Sequence, residues 1–229
     1  MTTIITVNHG TKRFIELCIK AVHLYTVGPF KHVIIDNGSD RDVIRMLEGF
    51  AKKKWIELIQ RRLPKSSAGH ALSLDWILKA RTFDLVCLLD SDAHPCSSDW
   101  LNVLLKKMGG YSAVGCCHFR DANLLHPSTM IFKHSDYKNL KYPSFRITRT
   151  GFGFMDTGMI VCRKFVDNGR KLLPINREEM SKYTRHRWCG TRRELAHDVL
   201  DDQPVTLYDR ETNAFFNHPS VWEAFKCVD

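Results

Sequence analysis

The sequence predicts an α/β fold, a mostly parallel sheet flanked by helices, in a single domain of residues 1–229. Short apolar runs that favour strands alternate with amphipathic helical patterns over residues 1–108. Polar turns follow the strands where each apolar run stops. The chain has 229 residues and is 44% hydrophobic, which is enough for one sizeable core and too little for two ordinary domains.

The alternation is regular in the first half and less so in the second. Strands are expected at residues 3–7, 32–35, 55–59 and 84–89. A helical spacing of apolar residues follows each strand, within residues 14–25, 43–51, 71–78 and 101–108. This pattern indicates parallel strands with helices on both faces of the sheet. In the second half we expect strands at 113–119, 128–133 and 205–208, and a loop that leads into a helix within 151–169.

Three polar turns are expected at the carboxyl ends of the strands: Asn8-His9-Gly10, the segment from Asp36 to Ser39, and Asp90-Ser91-Asp92. Ligands of parallel α/β sheets bind beyond this edge, so the turns should converge in space. Two carboxylates with D-x-D spacing can hold a hard divalent cation and leave positions open for phosphate oxygens. The alternative is that one of these acids only caps the following helix.

The basic residues of the chain are clustered rather than evenly spread. The formal net charge is +9, which favours a polyanionic partner or an acidic surface. Clusters lie within residues 52–65, 133–149 and 177–193, and the last two also contain aromatic residues: Tyr137, Tyr142, Phe145, Tyr183 and Trp188. Because cations contact phosphates and aromatic rings stack on unpaired bases, this mixture favours a nucleic-acid partner, although no known DNA-binding motif is present.

Two further features limit the function classes. The eight cysteines form no C-x-x-C pair, and Cys116, Cys117 and His118 alternate in direction along a strand, so no zinc site is expected. No apolar stretch reaches the roughly 20 residues of a membrane span, and the N-terminus MTTIITVNHG lacks the pattern of a secretion signal. We therefore expect no integral membrane segment and a cytoplasmic location, the host cytoplasm if the protein is viral.

Four segments in the first 110 residues, in this order and spacing, resemble elements of the family-two glycosyltransferases with the GT-A fold. They are TIITVNHGTKRFIELCIKAV, VIIDNGSDRD, SSAGHALSLDWIL and LLDSDAHPCSSDWL. Further on, FMDTGMIVCRKFVDNG resembles the acidic motif of the family, and NHPSVW matches a histidine that completes the metal shell in some members. Three positions depart from the family pattern: Asn37 replaces an acid, Met155 replaces the Glu of a Glu-Asp pair, and Asp75 stands where Asn is common.

The resemblance implies a GT-A-like, Rossmann-type domain in which residues 1–110 bind a nucleotide sugar and residues 111–229 bind the acceptor. The donor would be a UDP-sugar, held with Mn²⁺ or Mg²⁺, and the transfer would invert the anomeric centre. Asp156 would be the catalytic base. Asp90, Asp92 and His218 would hold the metal. The expected donor-binding residues are Thr6, Val7, Asn8, Asp36, Gly69, Asp90 and Ser91.

Several alternatives remain open at this point. The basic and aromatic second half favours hydroxymethylated bases in DNA as the acceptor, as in the DNA-modifying glycosyltransferases of phages. The same chemistry on a saccharide or lipid acceptor in surface glycan synthesis is the alternative. A nucleotidyltransferase and a non-catalytic protein that binds DNA or sugar are the rivals from other classes. Residue by residue, Asp36 and Asp156 could be helix caps, and Gly69 and His218 could be turn residues.

Overall fold

The computed structural model describes residues 1–64, 66–150, 153–187 and 214–226. The elements of the first half are β1 (Thr2–Asn8), α1 (Lys12–Tyr25), β2 (Phe30–Asn37), α2 (Arg41–Lys52), β3 (Glu57–Arg61), α3 (Ser67–Ala80), β4 (Leu85–Leu89), β5 (Ala93–Pro95) and α4 (Trp100–Met108). Those of the second half are β6 (Ala113–Cys117), β7 (Leu125–Lys133), α5 (His134–Asn139), β8 (Thr148–Thr150), β9 (Gly153–Met155), α6 (Met159–Asp167), β10 (Leu172–Ile175), α7 (Arg177–Met180), β11 (Thr184–His186) and α8 (Pro219–Lys226).

One seven-stranded sheet organises the fold, in the order β10-β6-β7-β4-β1-β2-β3. Strand β7 is antiparallel to both of its neighbours, and all other neighbouring pairs are parallel. Two small sheets, β11-β5 and β8-β9, lie outside it. The chain therefore has the α/β fold with a mostly parallel sheet that the sequence predicts. The order of the strands along the sheet reverses between β1 and β4, and such a point forms the kind of crevice where ligands of open α/β sheets bind.

Alternate residues of the strands enter two cores on opposite faces of the sheet. Ile4 and Ile34 pack with α1, α2 and α4 on one face, while Ile5 and Ile35 pack with α3 and α6 on the other. The two-residue period of a strand explains this division, because successive side chains point to opposite faces. The expectation of helices on both faces is confirmed. Among the described residues, no helix combines the length and the apolar character that crossing a bilayer requires.

The structure adjusts several predicted element bounds. The third strand begins at Glu57 rather than at Trp55, whose ring instead stacks on His23 and Phe50. The loop expected before the second-half helix contains the short strand β9, paired with β8. The small sheet β5-β11 was not expected from the sequence, because three-residue strands carry too little periodicity to detect. The strand expected at residues 205–208 lies outside the described part of the chain.

The aromatic residues of the basic segment 133–149 belong to the core. Tyr137 and Phe145 are fully buried, and Tyr142 packs partly buried against the same cluster. Their rings contact one another with centroids 5.6 to 5.9 Å apart. Tyr183 is likewise partly buried against the other core, and Trp188 lies outside the described residues. Lys133, Lys138, Lys141 and Arg146 of the segment are exposed, so the structure separates these charges from the aromatic rings that the sequence shows together.

Gly115 permits the close approach of β6 to β7, and its replacement tests the packing of these strands. A Cβ atom at Gly115 would lie 2.3 Å from the Thr129 carbonyl oxygen and 2.9 Å from Met130 Cα. We expect Gly115→Ala to lower the free energy of unfolding by about 1–3 kcal/mol, measured by urea denaturation. Gly49→Ala is the control: this glycine lies within α2 with no atom within 4 Å of the added methyl group, so stability should rise by about 0.5–1 kcal/mol. Equal effects at both positions would contradict the steric explanation.

Candidate active site

The carboxyl ends of β1 and β2 are joined by hydrogen bonds around Asp36. The parallel register places Asn8 beside Asp36. Asn8 Nδ2 donates to Asp36 Oδ1 at 2.8 Å and to Ser39 Oγ at 3.0 Å. Ser39 makes two hydrogen bonds to the same carboxylate. Its hydroxyl donates to Oδ1, and its main-chain N–H donates to Oδ2 at 3.0 Å. Thr11 Oγ1 donates to Asn8 Oδ1, so both polar groups of the Asn8 amide are fixed.

Thr6 and Val7, predicted to line the donor pocket with their main chain, precede Asn8 in β1. Both side chains are buried in the fold. Thr6 Oγ1 lies 3.2 Å from His32 Nε2, on the side of the sheet that faces α1. The side chains of Thr6 and Val7 therefore serve packing.

A second buried network connects β2 to α3 and explains the departure at position 37. Asn37 Nδ2 donates to the Gly69 carbonyl at 3.3 Å and to Ser73 Oγ at 2.8 Å. A carboxylate at this position has no proton to donate to the Gly69 carbonyl when ionised. Gly69 itself is needed for a close contact, because a Cβ there would lie 1.9 Å from the Pro64 carbonyl oxygen. The structure therefore gives Gly69 and Asn37 a joint role in seating α3.

The departure at Asp75 has a similar structural explanation. Its Oδ1 accepts the main-chain N–H of Phe145 at 2.8 Å, and its Oδ2 accepts the Ser144 hydroxyl at 2.6 Å. Arg146 Nε lies 3.9 Å from the same carboxylate. An asparagine offers one acceptor oxygen where the aspartate offers two. Asp75 thus ties α3 to the loop before β8.

The acids that follow β4 meet a histidine from a distant part of the sequence. Ala93 in β5 pairs with His186 in β11, and the main-chain N–H of Arg187 donates to the Asp92 carbonyl at 2.9 Å. His186 Nε2 consequently lies 2.9 Å from Asp92 Oδ1 and 3.7 Å from Asp90 Oδ2. Ligand atoms of Asp90, Asp92 and His186 lie within 4.8 Å of one another. Ser91 between the acids is buried.

The charges of this group are strongly coupled. Burial raises the pKa of Asp90 to about 7, with His186 opposing the rise and Asp92 and Asp156 adding to it. Burial by itself would lower the pKa of His186, but the neighbouring carboxylates of Asp92 and Asp90 outweigh it and raise the pKa above its ordinary value. The site therefore holds protons near neutral pH that a bound cation would displace.

The donor set of this group fits a divalent metal ion. Carboxylate oxygens suit Mg²⁺ and Mn²⁺, while an added imidazole nitrogen is a ligand that transition metals accept more readily than Mg²⁺. His186, rather than the predicted His218, stands beside the two carboxylates. His218 Nδ1 instead lies 2.8 Å from Ser220 Oγ, at the start of α8. Within the described residues His218 is not part of the metal-ligating group.

Asp156 lies in the turn between β9 and α6, and its charge acts on Asp90 in the group of Asp90, Asp92 and His186. It is one of the charges that raise the pKa of Asp90. Its Oδ1 accepts the Thr157 main-chain N–H at 2.7 Å, and its Oδ2 lies 3.8 Å from His118 Nε2. Helix α6 begins at Met159 with Gly158 as its N-cap, so Asp156 is not the cap residue. Its carboxylate remains partly exposed and can meet a ligand.

Two more histidines border the acids. His70 Nε2, on α3, lies 3.8 Å from Asp90 Oδ1, and the His9 ring lies 6.3 Å from the His70 ring. The three turns expected to converge are linked in this way. From the sequence, His9, His70 and His118 are expected to be structural or loop residues, and the segment of His186 stands out only for its cations and aromatic rings. The sequence shows His186 only as a histidine within a basic segment. Its position beside Asp92 depends on the three-residue pairing of β11 with β5, which the sequence pattern does not reveal.

The comparisons with known proteins agree with this geometry. The sequence model of glycosyl transferase family 2 matches residues 3–169, and the chain belongs to this family. The fold likewise matches glycosyltransferase structures, although no curated protein matches the chain in sequence.

Three solved structures illustrate the likeness in fold. A mannosyltransferase from Pyrobaculum calidifontis, in complex with GDP-mannose and Mn²⁺, is 19% identical with a TM-score of 0.56, over 77% of this chain and 55% of that one. S. aureus TarS 1–349 with UDP-GlcNAc is 14% identical with a TM-score of 0.55, over 94% and 71%. Glucosyl-3-phosphoglycerate synthase from Mycobacterium tuberculosis, with phosphoglyceric acid, is 14% identical with a TM-score of 0.52, over 77% and 69%. The chain thus spans about half the length of the first of these structures.

The network around Asn37 can be tested by restoring the acid of the family pattern. We expect Asn37→Asp to destabilise the fold by about 1–3 kcal/mol, because a fully buried carboxylate would face the Gly69 carbonyl without a proton to share. Urea denaturation measures the change. Asn123→Asp, in an exposed loop, is the control and should change stability by less than about 0.5 kcal/mol. A neutral Asn37→Asp would show that the amide is not required there.

The third metal ligand can be identified by comparing two histidines. We expect His186→Ala to weaken Mn²⁺ binding at least about tenfold, because it removes one of three clustered ligand atoms. Calorimetric titration of the purified protein measures the affinity. His218→Ala is the matched comparison and should leave the affinity unchanged. The reverse result would make His218 the ligand and would contradict the assignment from the geometry.

Proposed function

We propose that this protein transfers a sugar from a nucleotide sugar, in the first instance a UDP-sugar, to an acceptor hydroxyl in a metal-dependent reaction. The observation that carries the proposal is the group of Asp90, Asp92 and His186 at the carboxyl end of β4, beside the Asn8 and Asp36 network. Family membership supports it. The structures similar in fold include complexes with GDP-mannose and Mn²⁺ and with UDP-GlcNAc.

On the donor side, Asp36 is proposed to bind the base. A carboxylate has about four lone-pair sites, and Asn8 Nδ2, Ser39 Oγ and the Ser39 main-chain N–H occupy three of them. One site is left for an N–H of the base. The main chain of Thr6, Val7 and Asn8 would line the same pocket, with Gly69 and Ser91 completing the proposed donor-binding set.

Asp90, Asp92 and His186 are proposed to hold Mn²⁺ or Mg²⁺. When bound, this cation supplies positive charge against the diphosphate and the negative charge that develops on the leaving nucleotide. Beside His186, a cavity of about 170 Å³ is lined by Arg177 and Arg185, so further positive charge faces this part of the site.

Asp156 is proposed as the general base. Its ionised carboxylate would take the proton of the acceptor hydroxyl while that oxygen attacks the anomeric carbon from the face opposite the leaving nucleotide. Attack from that face inverts the anomeric configuration, through a transition state with oxocarbenium character as in glycoside hydrolysis. Residues 1–110 are proposed to bind the donor, with His186 joining them at the metal, and residues 111–229 are proposed to bind the acceptor.

For the acceptor we propose only the group that reacts, which is a hydroxyl. The aromatic rings of segment 133–149 are part of what favoured DNA in the sequence, and Tyr137 and Phe145 lie in the core with Tyr142 packed against them. The exposed cations suit DNA, an anionic glycan and a phospholipid alike. One experiment therefore compares two classes of acceptor: hydroxymethylated DNA, and saccharides or lipids.

The first test is release of the nucleotide from a panel of UDP-sugars and GDP-mannose in the presence of Mn²⁺. Each donor is supplied alone, with hydroxymethylated DNA, and with saccharide and lipid acceptors. Release that rises with one acceptor class identifies it, and slow release without any acceptor still supports the transferase. No release from any donor by the folded protein would overturn the proposal. It would favour a nucleotidyltransferase or a non-catalytic binding protein.

Two substitutions separate the metal from the base. We expect Asp92→Asn to abolish Mn²⁺-dependent release, and Asp156→Asn to lower kcat by about 10²- to 10⁴-fold with donor affinity retained. Kinetics with a fixed acceptor and calorimetric donor titration measure the two quantities. Asp84→Asn is the control, because this exposed acid lies at the opposite end of β4 and pairs only with the N-terminal amine among the described ion pairs. A fall in donor affinity with unchanged kcat in Asp156→Asn would contradict its role as base.

A further inference from the structure

The tautomer of His118 is fixed by its surroundings. Its Nδ1 accepts the main-chain N–H of Arg120 at 3.1 Å, and a main-chain amide can only donate. The proton of the neutral ring must therefore be on Nε2. Burial lowers the pKa of His118 and outweighs the opposing field of Asp156, so the ring is neutral at physiological pH.

The Nε2 atom of His118 lies near the carboxylate of Asp156, and no other described residue accepts a hydrogen bond from it. The side chain is completely buried, and Nε2 forms no hydrogen bond within the described structure. It lies 3.8 Å from Asp156 Oδ2. This separation is longer than a hydrogen bond, but contacts of catalytic groups are often long without substrate and shorten in the reacting complex. A buried donor without a partner is costly, so the closer contact with the carboxylate would be favourable.

The fold holds the His118 ring firmly in this direction. His118 directly follows β6, where the pairing with β7 shifts register between Gly115 and Cys117. Such irregularities redirect side chains at strand ends. The main-chain N–H of His118 donates to the Leu124 carbonyl at 2.8 Å. The ring itself stacks on Phe119, with centroids 4.7 Å apart, and lies 5.2 Å from the ring of His126.

We propose that His118 is the positioning residue for the base: its Nε2–H donates to Asp156 Oδ2 and holds the carboxylate in the orientation that accepts the proton. The inference rests on the proposed function for its catalytic meaning. With the Thr157 main-chain N–H on Oδ1, each carboxylate oxygen then has one protein donor. The plane of the carboxylate is fixed, and lone pairs remain on both oxygens for the acceptor hydroxyl.

His118 does not relay the proton onward. Its Nδ1 lone pair is occupied by the Arg120 N–H, and its Nε2 already carries a proton. Asp156 therefore keeps the proton taken from the acceptor until solvent removes it from its partly exposed carboxyl group. The role of His118 is to orient the base, and its loss should lower kcat without affecting donor binding.

Two substitutions separate this role from packing. In His118→Asn the side-chain oxygen can replace Nδ1 as acceptor for Arg120, but no group reaches Asp156. In His118→Gln the amide nitrogen can occupy the position of Nε2 and donate. We expect His118→Asn to lower kcat by about ten- to a hundredfold with an unchanged KM for the donor, and His118→Gln to recover most of that loss.

His134→Asn is the matched control. His134 is also buried, with its Nδ1 accepting the Phe83 main-chain N–H and its Nε2 bound to the Leu78 carbonyl, and it follows the opposite end of β7. Its replacement should lower the melting temperature while leaving kcat per folded molecule unchanged. Equal kcat losses in His118→Asn and His118→Gln, or an unchanged kcat in His118→Asn, would overturn the proposal.

A measurement without turnover tests the same contact. In ¹⁵N-labelled protein, nitrogen spectra of the histidine rings should show His118 as the Nε2–H tautomer, identified by its loss in His118→Asn. Its Nε2–H resonance should move in Asp156→Asn, while that of His134 stays in place. An Nδ1–H tautomer of His118, or an Nε2–H resonance that does not move in Asp156→Asn, would refute the contact between His118 and Asp156. If no donor supports turnover, the proposed function fails, and this spectrum alone decides whether His118 contacts Asp156.

Discussion

The site depends on one electrostatic constraint, the burial of two carboxylates at the end of one strand. Asp90 and Asp92 lie close together at the end of β4, and burial, with Asp92 adding to it, raises the pKa of Asp90 to about 7, so a nearby positive charge favours its ionised form. His186 supplies that charge by a bond to Asp92, and three residue pairs between β5 and β11 hold it there. A divalent cation would satisfy the same carboxylates more strongly and displace the protons. The small sheet outside the main one thus places the counter-charge that the acids require.

The departures from the family pattern at positions 37 and 75 are structural adaptations of α3. Asn37 donates to the Gly69 carbonyl, which an ionised acid cannot do, and Asp75 accepts from both Ser144 and Phe145. Because both side chains have their hydrogen bonds within the protein, they carry no information about which sugar the donor contains. The sugar specificity therefore has to be sought among residues that face the cleft.

The repeated pattern of strand and helix made the fold predictable, whereas the site was predictable only where it belongs to that pattern. Asn8, Asp36 and Asp90 lie at the carboxyl ends of strands with clear apolar runs, so their common location follows from parallel pairing. His186 ends a strand of three residues, and His70 lies in the first part of helix α3. Neither position follows from periodicity, because both depend on long-range contacts. His218 was the natural choice from the family resemblance, yet its ring turns to Ser220.

The basic and aromatic segment shows a different limit of sequence reasoning. Composition places Tyr137 and Phe145 among lysines and arginines, as in a nucleic-acid surface, but the segment folds as a short helix and a loop with its rings turned inward. A ring that is buried between α3 and α6 cannot stack on a base, whatever cations surround it in the sequence. Only the charge remains for recognition, and charge attracts every polyanion. The acceptor must therefore be distinguished by contacts near Asp156, where the reacting hydroxyl has to come within hydrogen-bond reach of the base.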